Sequence, residues 1–257
     1  MKIHLFAGLA LATGLAAGAA HAEATLDGLA ALKIDAVPCR FHDTELEQAD
    51  RDRAFNALTA MQAQNTAAVE AMMPDLRSAL ARAPDAPARP ELCGATLEIY
   101  SDDVADLVKI NAVLAGRPEL AALTPVLKGA MPYGSLGFIV GWVEYEHADY
   151  ASAERDFARG LRNAPDDVNL EAQYVLTLCK LKRPQDGLAA ADGFLAGHPD
   201  LSDPDHAAML RKRGHALVDL NRLDDAEAAY RQSLTLDPGN DIALSELDYI
   251  QRQRASH

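Results

Sequence analysis

The densest set of potential metal ligands in the sequence lies in the stretch HPDLSDPDH. Imidazole and carboxylate groups of this kind could together hold a divalent cation. However, their spacing matches no standard ligand motif, and the aspartate and proline in the second half are typical of a helix start. We therefore expect no metal and no other cofactor. The residues concerned are His198, Asp200, Asp203, Asp205 and His206.

The cysteines offer a second kind of chemistry. Cys39 and Cys93 lie in irregular, proline-containing sequence, whereas Cys179 lies within an apolar helical pattern. In an oxidising compartment this favours a Cys39–Cys93 disulfide and leaves Cys179 as a buried, inert thiol. The alternative is a redox-active pair, although such cysteines usually occur together as C-x-x-C.

Signatures of catalysis are weak. The sequence contains no G-x-S-x-G, no H-E-x-x-H and no phosphate-binding loop. The run from Cys39 to His42 and Asp43 contains part of a zinc site or of a nucleophile pair, but it has no second pair at suitable spacing. Carboxylates such as Glu144 are expected to be solvated. We expect no catalytic residues and no enzyme, and retain as an alternative an enzyme or thiol-redox accessory factor acting through residues 23–130.

The first residues and the overall charge limit the possible partners. One lysine, an apolar run and the small residues before Glu23 have the layout of a secretory signal peptide over 1–22, cleaved between Ala22 and Glu23. This predicts a periplasmic or secreted protein with no membrane segment after cleavage. The formal net charge of −14 argues against nucleic acid as a partner. Another protein or peptide is the expected partner, and self-association is possible.

The elements that would position a binding site show internal repetition. Three proline punctuations, at Pro165, Pro199 and Pro238, divide the C-terminal half into units with a 34-residue period and one five-residue insertion. The first and third units also match at four positions upstream of the proline, as Gly, Tyr or Leu, Ala, and an aromatic residue. These positions are Gly141, Tyr150, Ala153 and Phe157 in the first unit, and Gly214, Leu223, Ala226 and Tyr230 in the third.

This pattern resembles the tetratricopeptide repeat (TPR) family, whose unit is a helix-turn-helix hairpin. The resemblance covers residues 134–167, 168–201 and 207–240, followed by a capping helix with Ile242, Leu244, Leu247 and Ile250 toward the stack. The middle unit departs from the pattern, with Gly187 where Ala is usual and Ala191 where an aromatic is usual, so its second helix is expected to be short or distorted. We assign 131–257 to this solenoid.

The resemblance also implies a binding surface, because the first helix of each unit lines a concave groove in this family. Positions that share one face by helical periodicity place aromatic residues at one end and basic residues at the other. The alternative is that the aromatics pack against the N-terminal region. The candidate partner-binding residues are Phe138, Trp142, Tyr145, Gln173, Arg211, Lys212 and His215.

The preceding region, 23–130, shows no convincing 34-residue register. The TELE sequence at Thr44 predicts a capping box that opens a helical region broken near Pro74. Another helix is predicted over PELAALTPVLKG, and LEIY from Leu97 could form a short strand without enough neighbours for a sheet. The expected fold is therefore all-α: a helix-turn-helix repeat solenoid with an atypical helical N-terminal region pinned by the disulfide.

Overall fold

The computed structural model describes residues 22–255, which divide into two compact units. One unit, here called the sheet unit, comprises 22–47 and 88–131. The other, here called the repeat unit, comprises 48–87 and the chain from 132 onward. Residues 48–87, which the sequence pattern assigns to the N-terminal region, thus group with the repeats.

The signal peptide predicted for 1–22 lies outside the described residues except for Ala22. The predicted cleavage point, between Ala22 and Glu23, lies at the start of residues 22–31, which are helical and are here called α1. Signal cleavage stays a prediction.

The sheet unit is built on short strands. Among the described residues, four strands form one sheet in the order β1-β2-β3-β4, in which β2–β3 is antiparallel and the two outer pairs are parallel. Leu29 of α1, Leu97 and Ile99 of β3, and Leu114 of α4 are buried in its core. The elements are β1 (Val37–Pro38), β2 (Glu91–Cys93), β3 (Thr96–Tyr100), α4 (Val104–Leu114), a 3₁₀ turn (Pro118–Leu120) and β4 (Thr124–Lys128).

This sheet corrects the expectation of a purely helical N-terminal region. LEIY forms most of β3 and has neighbours on both sides, β2 and β4. The helix predicted over PELAALTPVLKG is instead the 3₁₀ turn followed by β4. The reason is Pro125, which would break a helix interior but is tolerated in a strand at the edge of a sheet.

The repeat unit confirms the all-α helix-turn-helix architecture. Its helices pair in sequence as hairpins, and the final helix packs on the last hairpin. Helices α2 and α3 come before the three predicted repeats, and α3 packs against α5. The helices are α2 (Thr44–Gln62), α3 (Thr66–Leu80), α5 (Tyr133–Glu146), α6 (Tyr150–Leu161), α7 (Val168–Lys180), α8 (Pro184–Gly197), α9 (Asp203–Asp219), α10 (Leu223–Leu236) and α11 (Asp241–Ala255).

Local details of α2 and α3 differ from the sequence prediction. Asp43 rather than Thr44 caps α2, because the Leu46 backbone N–H donates to Asp43 Oδ1 at 3.1 Å. The break between α2 and α3 falls at Gln64, whose φ is 55°, and not at Pro74, which lies within α3.

Close helix contacts hold the first and third hairpins together. A Cβ added at Gly141 would lie 2.7 Å from ring atoms of Phe157, and one at Gly214 would lie 2.8 Å from the ring of Tyr230. Both rings are almost completely buried. Glycine on the first helix therefore makes the space that the aromatic side chain of the second helix fills.

The middle hairpin and the closing helix correct two further expectations. Helix α8 is neither short nor distorted: it covers Pro184–Gly197 and accepts Pro184 at its first turn, where proline is tolerated. In α11 the buried residues are Ala243 and Ile250, whereas Ile242 and Leu244 are exposed. The predicted stripe is therefore confirmed at Leu247 and Ile250 and wrong at Ile242 and Leu244.

Of the helices within 22–255, none combines the length and the apolar character needed to cross a membrane.

Candidate binding face on the first helices of the repeats

Helix α5 carries the aromatic part of the predicted face. Phe138, Trp142 and Tyr145 recur at the spacing that places side chains on one side of a helix. All three are partly buried and pack against a cluster that contains Phe157 and Leu170. The sequence therefore brings three aromatic rings to one end of the repeats without burying them fully. We call the predicted residues on α5, α7 and α9 the first-helix face.

Two further tyrosines belong to this aromatic end. Tyr174 of α7 is partly buried in the same cluster as Trp142. Tyr150 places its ring 5.2 Å from that of Tyr145, at an interplanar angle of 65°. Burial raises the pKa of Tyr145, and the charge of Glu146 and the ionised forms of Tyr150 and Cys179 act in the same direction. Its phenol is therefore neutral at physiological pH and available as a hydrogen-bond donor.

Helices α7 and α9 meet at three side chains that can bind metals. Cys179 of α7 and His215 and Asp219 of α9 place one ligand atom each within 4.8 Å of one another. Cys179 is buried, His215 is partly buried and Asp219 is exposed. Burial raises the pKa of the Cys179 thiol to about 11, and the charge of Asp219 contributes in the same direction. The thiol is therefore protonated when only these neighbours are present.

The basic end of the face contains one paired and one unpaired cation. Arg211 Nη1 donates to Asp237 Oδ2 at 3.0 Å, so this guanidinium is neutralised within the third hairpin. Lys212 is partly buried and has no ion pair with any residue in 22–255. Burial lowers the pKa of Lys212, and the charge of Arg211 lowers it further. An anionic group beside Lys212 would relieve both effects.

The predicted site residues differ in their surroundings. The structure clusters Phe138, Trp142 and Tyr145, and it places His215 close to Cys179. It engages Arg211 elsewhere, as described above. Gln173 is partly buried on α7, and its backbone carbonyl accepts a hydrogen bond from Thr177 Oγ1.

Sequence reasoning missed Tyr174 and Asp219 as members of this face, whereas helical periodicity does place Cys179 on it. Asp219 could have been found, because it follows His215 by four residues, a spacing that puts two side chains on one side of a helix. Cys179 was assigned to the core by its apolar neighbours, and it is indeed a buried free thiol. Its approach to His215 depends on how two repeats stack, which sequence periodicity does not encode.

Two glutamates of the repeats are not solvated, in contrast to the expectation for Glu144. Burial raises the pKa of Glu144, and a shared hydrogen bond with Asp156 raises it further. The guanidinium of Arg77, whose Nη2 lies 3.2 Å from Glu144 Oε1, opposes this increase. Burial also raises the pKa of Glu171 to about 7, and the charge of His198 opposes this only in part. Both helices therefore carry a carboxyl group that favours its neutral form.

Two candidate ligands of the stretch from His198 to His206 have local partners. His198 Nε2 lies 2.9 Å from Asp166 Oδ1, and the ring stacks on Phe194 with centroids 4.2 Å apart. Ser202 Oγ donates to Asp205 Oδ2 at 2.6 Å. Each of these groups thus has a local partner.

The sheet unit contains the other concentration of ionisable groups. The carboxylate of Glu91, which is 0% exposed, accepts from Arg40 Nε at 2.7 Å and from the Arg40 backbone N–H at 2.9 Å. His42 lies between two carboxylates, with Nδ1 2.6 Å from Glu47 and Nε2 3.1 Å from Glu91. The Tyr100 hydroxyl lies 2.9 Å from the same Nε2. We call this set the Glu91 cluster.

The electrostatic interactions within this cluster favour the charged forms of His42 and Glu91. Burial alone would lower the pKa of His42, but the carboxylates of Glu47 and Glu91 raise it. Burial would likewise raise the pKa of Glu91, but hydrogen bonds from Arg40 and His42 lower it. Burial and the surrounding carboxylates raise the pKa of Tyr100. Both ring nitrogens of His42 are therefore engaged by partners within the cluster.

The predicted disulfide is present beside this cluster. Cys39 and Cys93 are bonded, which ties β1 to β2, and Cys179 is the free thiol. The pairing expected from the sequence is confirmed. The two sulfurs therefore offer no metal ligands while the bond is intact.

The fold and the face together define a TPR-like helical repeat protein. No family model and no curated protein sequence matches this chain. Among solved structures, the first TPR domain of human RPAP3 is 21% identical to this chain, with a TM-score of 0.43. The alignment covers 48% of this chain and 93% of the RPAP3 domain. The second TPR domain of human RPAP3, in complex with an HSP70 peptide, is 22% identical, with a TM-score of 0.39. That alignment covers 45% of this chain and 92% of the RPAP3 domain. PilW, a type IV pilus biogenesis factor, is 18% identical, with a TM-score of 0.48. The alignment covers 80% of this chain and 70% of PilW.

Proposed function

We propose that this protein is an exported interaction scaffold whose first-helix face holds a peptide segment of another envelope protein. The observation that carries the proposal is the partly buried aromatic set Phe138, Trp142 and Tyr145 on α5, extended by Tyr174 of α7. Aromatic side chains that remain accessible in a packed helical frame are the residue types that dominate protein interfaces.

The chemistry of the other end supports the same proposal. The Cys179 thiol, close to Tyr145, is within 4.8 Å of the ligand atoms of His215 and Asp219, and Lys212 lies one helical turn before His215. A peptide that places apolar side chains on the aromatic rings and a carboxylate at Lys212 would satisfy both ends. Export is supported by the disulfide, because such bonds persist in oxidising compartments.

The test uses capture of partners by cross-linking from an envelope extract. Trp142→Ala and Lys212→Gln should each keep the helical circular dichroism of the wild type. We expect Trp142→Ala to reduce capture about tenfold or more, since truncating a hot-spot aromatic weakens binding by about 2 kcal/mol or more. Lys212→Gln should reduce it less.

The matched control is Phe55→Ala, which removes an aromatic side chain that is 69% exposed on α2 of the same unit. This variant should capture as much as the wild type. Capture by Trp142→Ala at the wild-type level would contradict the proposal. Sedimentation of the wild type at several concentrations separates partner capture from self-association.

The alternative function is a periplasmic enzyme or thiol-redox accessory factor that acts through residues 23–130. It is favoured by the Glu91 cluster and by the exposure of Cys39 in the neighbouring disulfide. Thiol titration in a mild glutathione buffer discriminates between the two functions. A scaffold keeps the Cys39–Cys93 bond closed, whereas a redox factor opens and closes it readily.

A further inference from the structure

We propose that Cys179, His215 and Asp219 form a zinc site that joins the second and third repeats. The sulfur, one imidazole nitrogen and one carboxylate oxygen lie within 4.8 Å of one another. These are three of the atom types that bind Zn²⁺ in proteins. Ligand atoms around a tetrahedral zinc are about 3.3–3.6 Å apart, from Zn–S and Zn–N bonds of about 2.3 and 2.0 Å, so rotamer adjustment of His215 and Asp219 would close the site.

None of the three side chains is committed to another partner. Within 22–255, neither His215 nor Asp219 forms an ion pair or a side-chain hydrogen bond, and Cys179 is a free thiol. By contrast, the histidines at 42 and 198 each contact carboxylates that fix their rings. The three side chains can therefore turn toward a metal without breaking another ion pair or side-chain hydrogen bond.

The helix ends provide a favourable field for a cation. Cys179 lies in the last turn of α7, and Asp219 is the final residue of α9. The carboxyl end of a helix carries partial negative charge, which favours cations and disfavours an unpaired carboxylate. A divalent ion bound here would compensate the charge of Asp219 and of the thiolate together.

Helix α8 leaves space for the Cys179 sulfur at Gly187. A Cβ added at Gly187 of α8 would lie 3.2 Å from Cys179 Sγ. This glycine is the one that departs from the repeat pattern. The sulfur is thus buried against α8, whereas His215 is partly buried and Asp219 is exposed.

Three protein ligands leave the fourth position of zinc for water or for a group from outside the chain. Binding requires the thiolate, so the metal takes the place of the thiol proton, and about one proton is released for each ion bound near neutral pH. The site does not depend on the proposed peptide binding, because it needs only this chain and the metal.

The test uses the untagged, chelator-treated protein titrated with Co²⁺ and then with Zn²⁺. Because Cys39 and Cys93 are bonded to each other, only Cys179 can give a thiolate-to-cobalt charge-transfer band. We expect one such band, saturating at one equivalent, abolished in Cys179→Ala and displaced by Zn²⁺. His215→Gln and Asp219→Asn should each weaken Zn²⁺ binding at least about tenfold, as loss of even a supporting group costs that much.

The matched control is His206→Gln, which removes another partly buried histidine from α9 and should leave the affinity unchanged. Absence of the band in the wild type, or cobalt binding without it, would overturn the site. The same holds if His215→Gln and Asp219→Asn bind as tightly as the wild type. These two partly or fully exposed positions decide the question even if Cys179→Ala fails to fold.

Discussion

The first and third repeats pack their two helices in one way, and the second repeat packs them in the reverse way. In the first and third, glycine on the first helix, Gly141 or Gly214, lies against a buried aromatic ring on the second. In the second repeat the glycine, Gly187, is on the second helix and lies against Cys179 on the first. All three helix pairs nevertheless form hairpins, although α7 and α8 contact each other less extensively than the helices of the first and third pairs do.

The difference shows that summed volume at the helix contact matters more than which helix supplies the large side chain. Val175 stands in the second repeat where the others have glycine, and Ala191 stands where they have an aromatic ring. Both are completely buried. Packed interiors tolerate such exchanges when the total volume is kept.

The largest effect should come from removing an aromatic ring from the first repeat. Phe157 is completely buried, so Phe157→Ala should lower the free energy of unfolding by about 3–5 kcal/mol. Adding Gly141→Val to this variant copies the arrangement of the second repeat and should recover part of the loss. Urea unfolding followed by circular dichroism measures both variants.

The control for this prediction is Phe55→Ala, an exposed truncation that should change stability by less than about 0.5 kcal/mol. If the double variant is no more stable than Phe157→Ala alone, volume exchange does not explain the second repeat.

A smaller effect is expected at Glu171, which also distinguishes the second repeat. The corresponding residue is Gly137 in the first repeat and Leu210 in the third. Because the folded-state pKa of Glu171 is raised from 4.5 to about 7, its contribution to stability is fully present below pH 4.5 and is lost as pH rises through 7. The loss is at most about 3 kcal/mol, from the size of the shift.

Glu171→Leu, which copies the third repeat, should remove this pH dependence and stabilise the protein above pH 7. Urea unfolding at several pH values between 4 and 8 measures the slope for the wild type and the variant. Equal slopes in the two proteins would show that Glu171 is not the group responsible.

The repeats could be predicted from the sequence because their signal is local. Gly141 with Phe157, and Gly214 with Tyr230, recur at fixed distances from a proline, and the hairpin geometry follows from those distances. The sheet could not be predicted in the same way. Its strands are short, β4 contains Pro125, and β1 pairs with β2 and β3 with β4 across long stretches of sequence, so these two pairings depend on distant contacts.

The same distinction applies to the candidate site. Helical periodicity was enough to place Phe138, Trp142 and Tyr145 together, because they share one helix. It could not show that Arg211 is paired with Asp237, or that Cys179 lies beside His215, because these contacts join different helices. Residues on one element are predictable from spacing, whereas their partners on other elements require the packed structure.

The smallest effect concerns the glycine that makes the second repeat different. Gly187→Ala gains helix propensity of about 0.5–1 kcal/mol, but its Cβ would lie 3.2 Å from both Cys179 Sγ and the Val175 carbonyl oxygen. We expect the two effects to nearly cancel.

Gly193→Ala on the same helix is the matched control, since its Cβ would meet nothing within 4 Å and the full gain should appear. In a Cys179→Ala background, where the sulfur is absent, Gly187→Ala should recover part of that gain. Equal stabilisation by the two alanines in the wild type would mean that the sulfur does not need the space at residue 187, and urea unfolding of the four variants measures this directly.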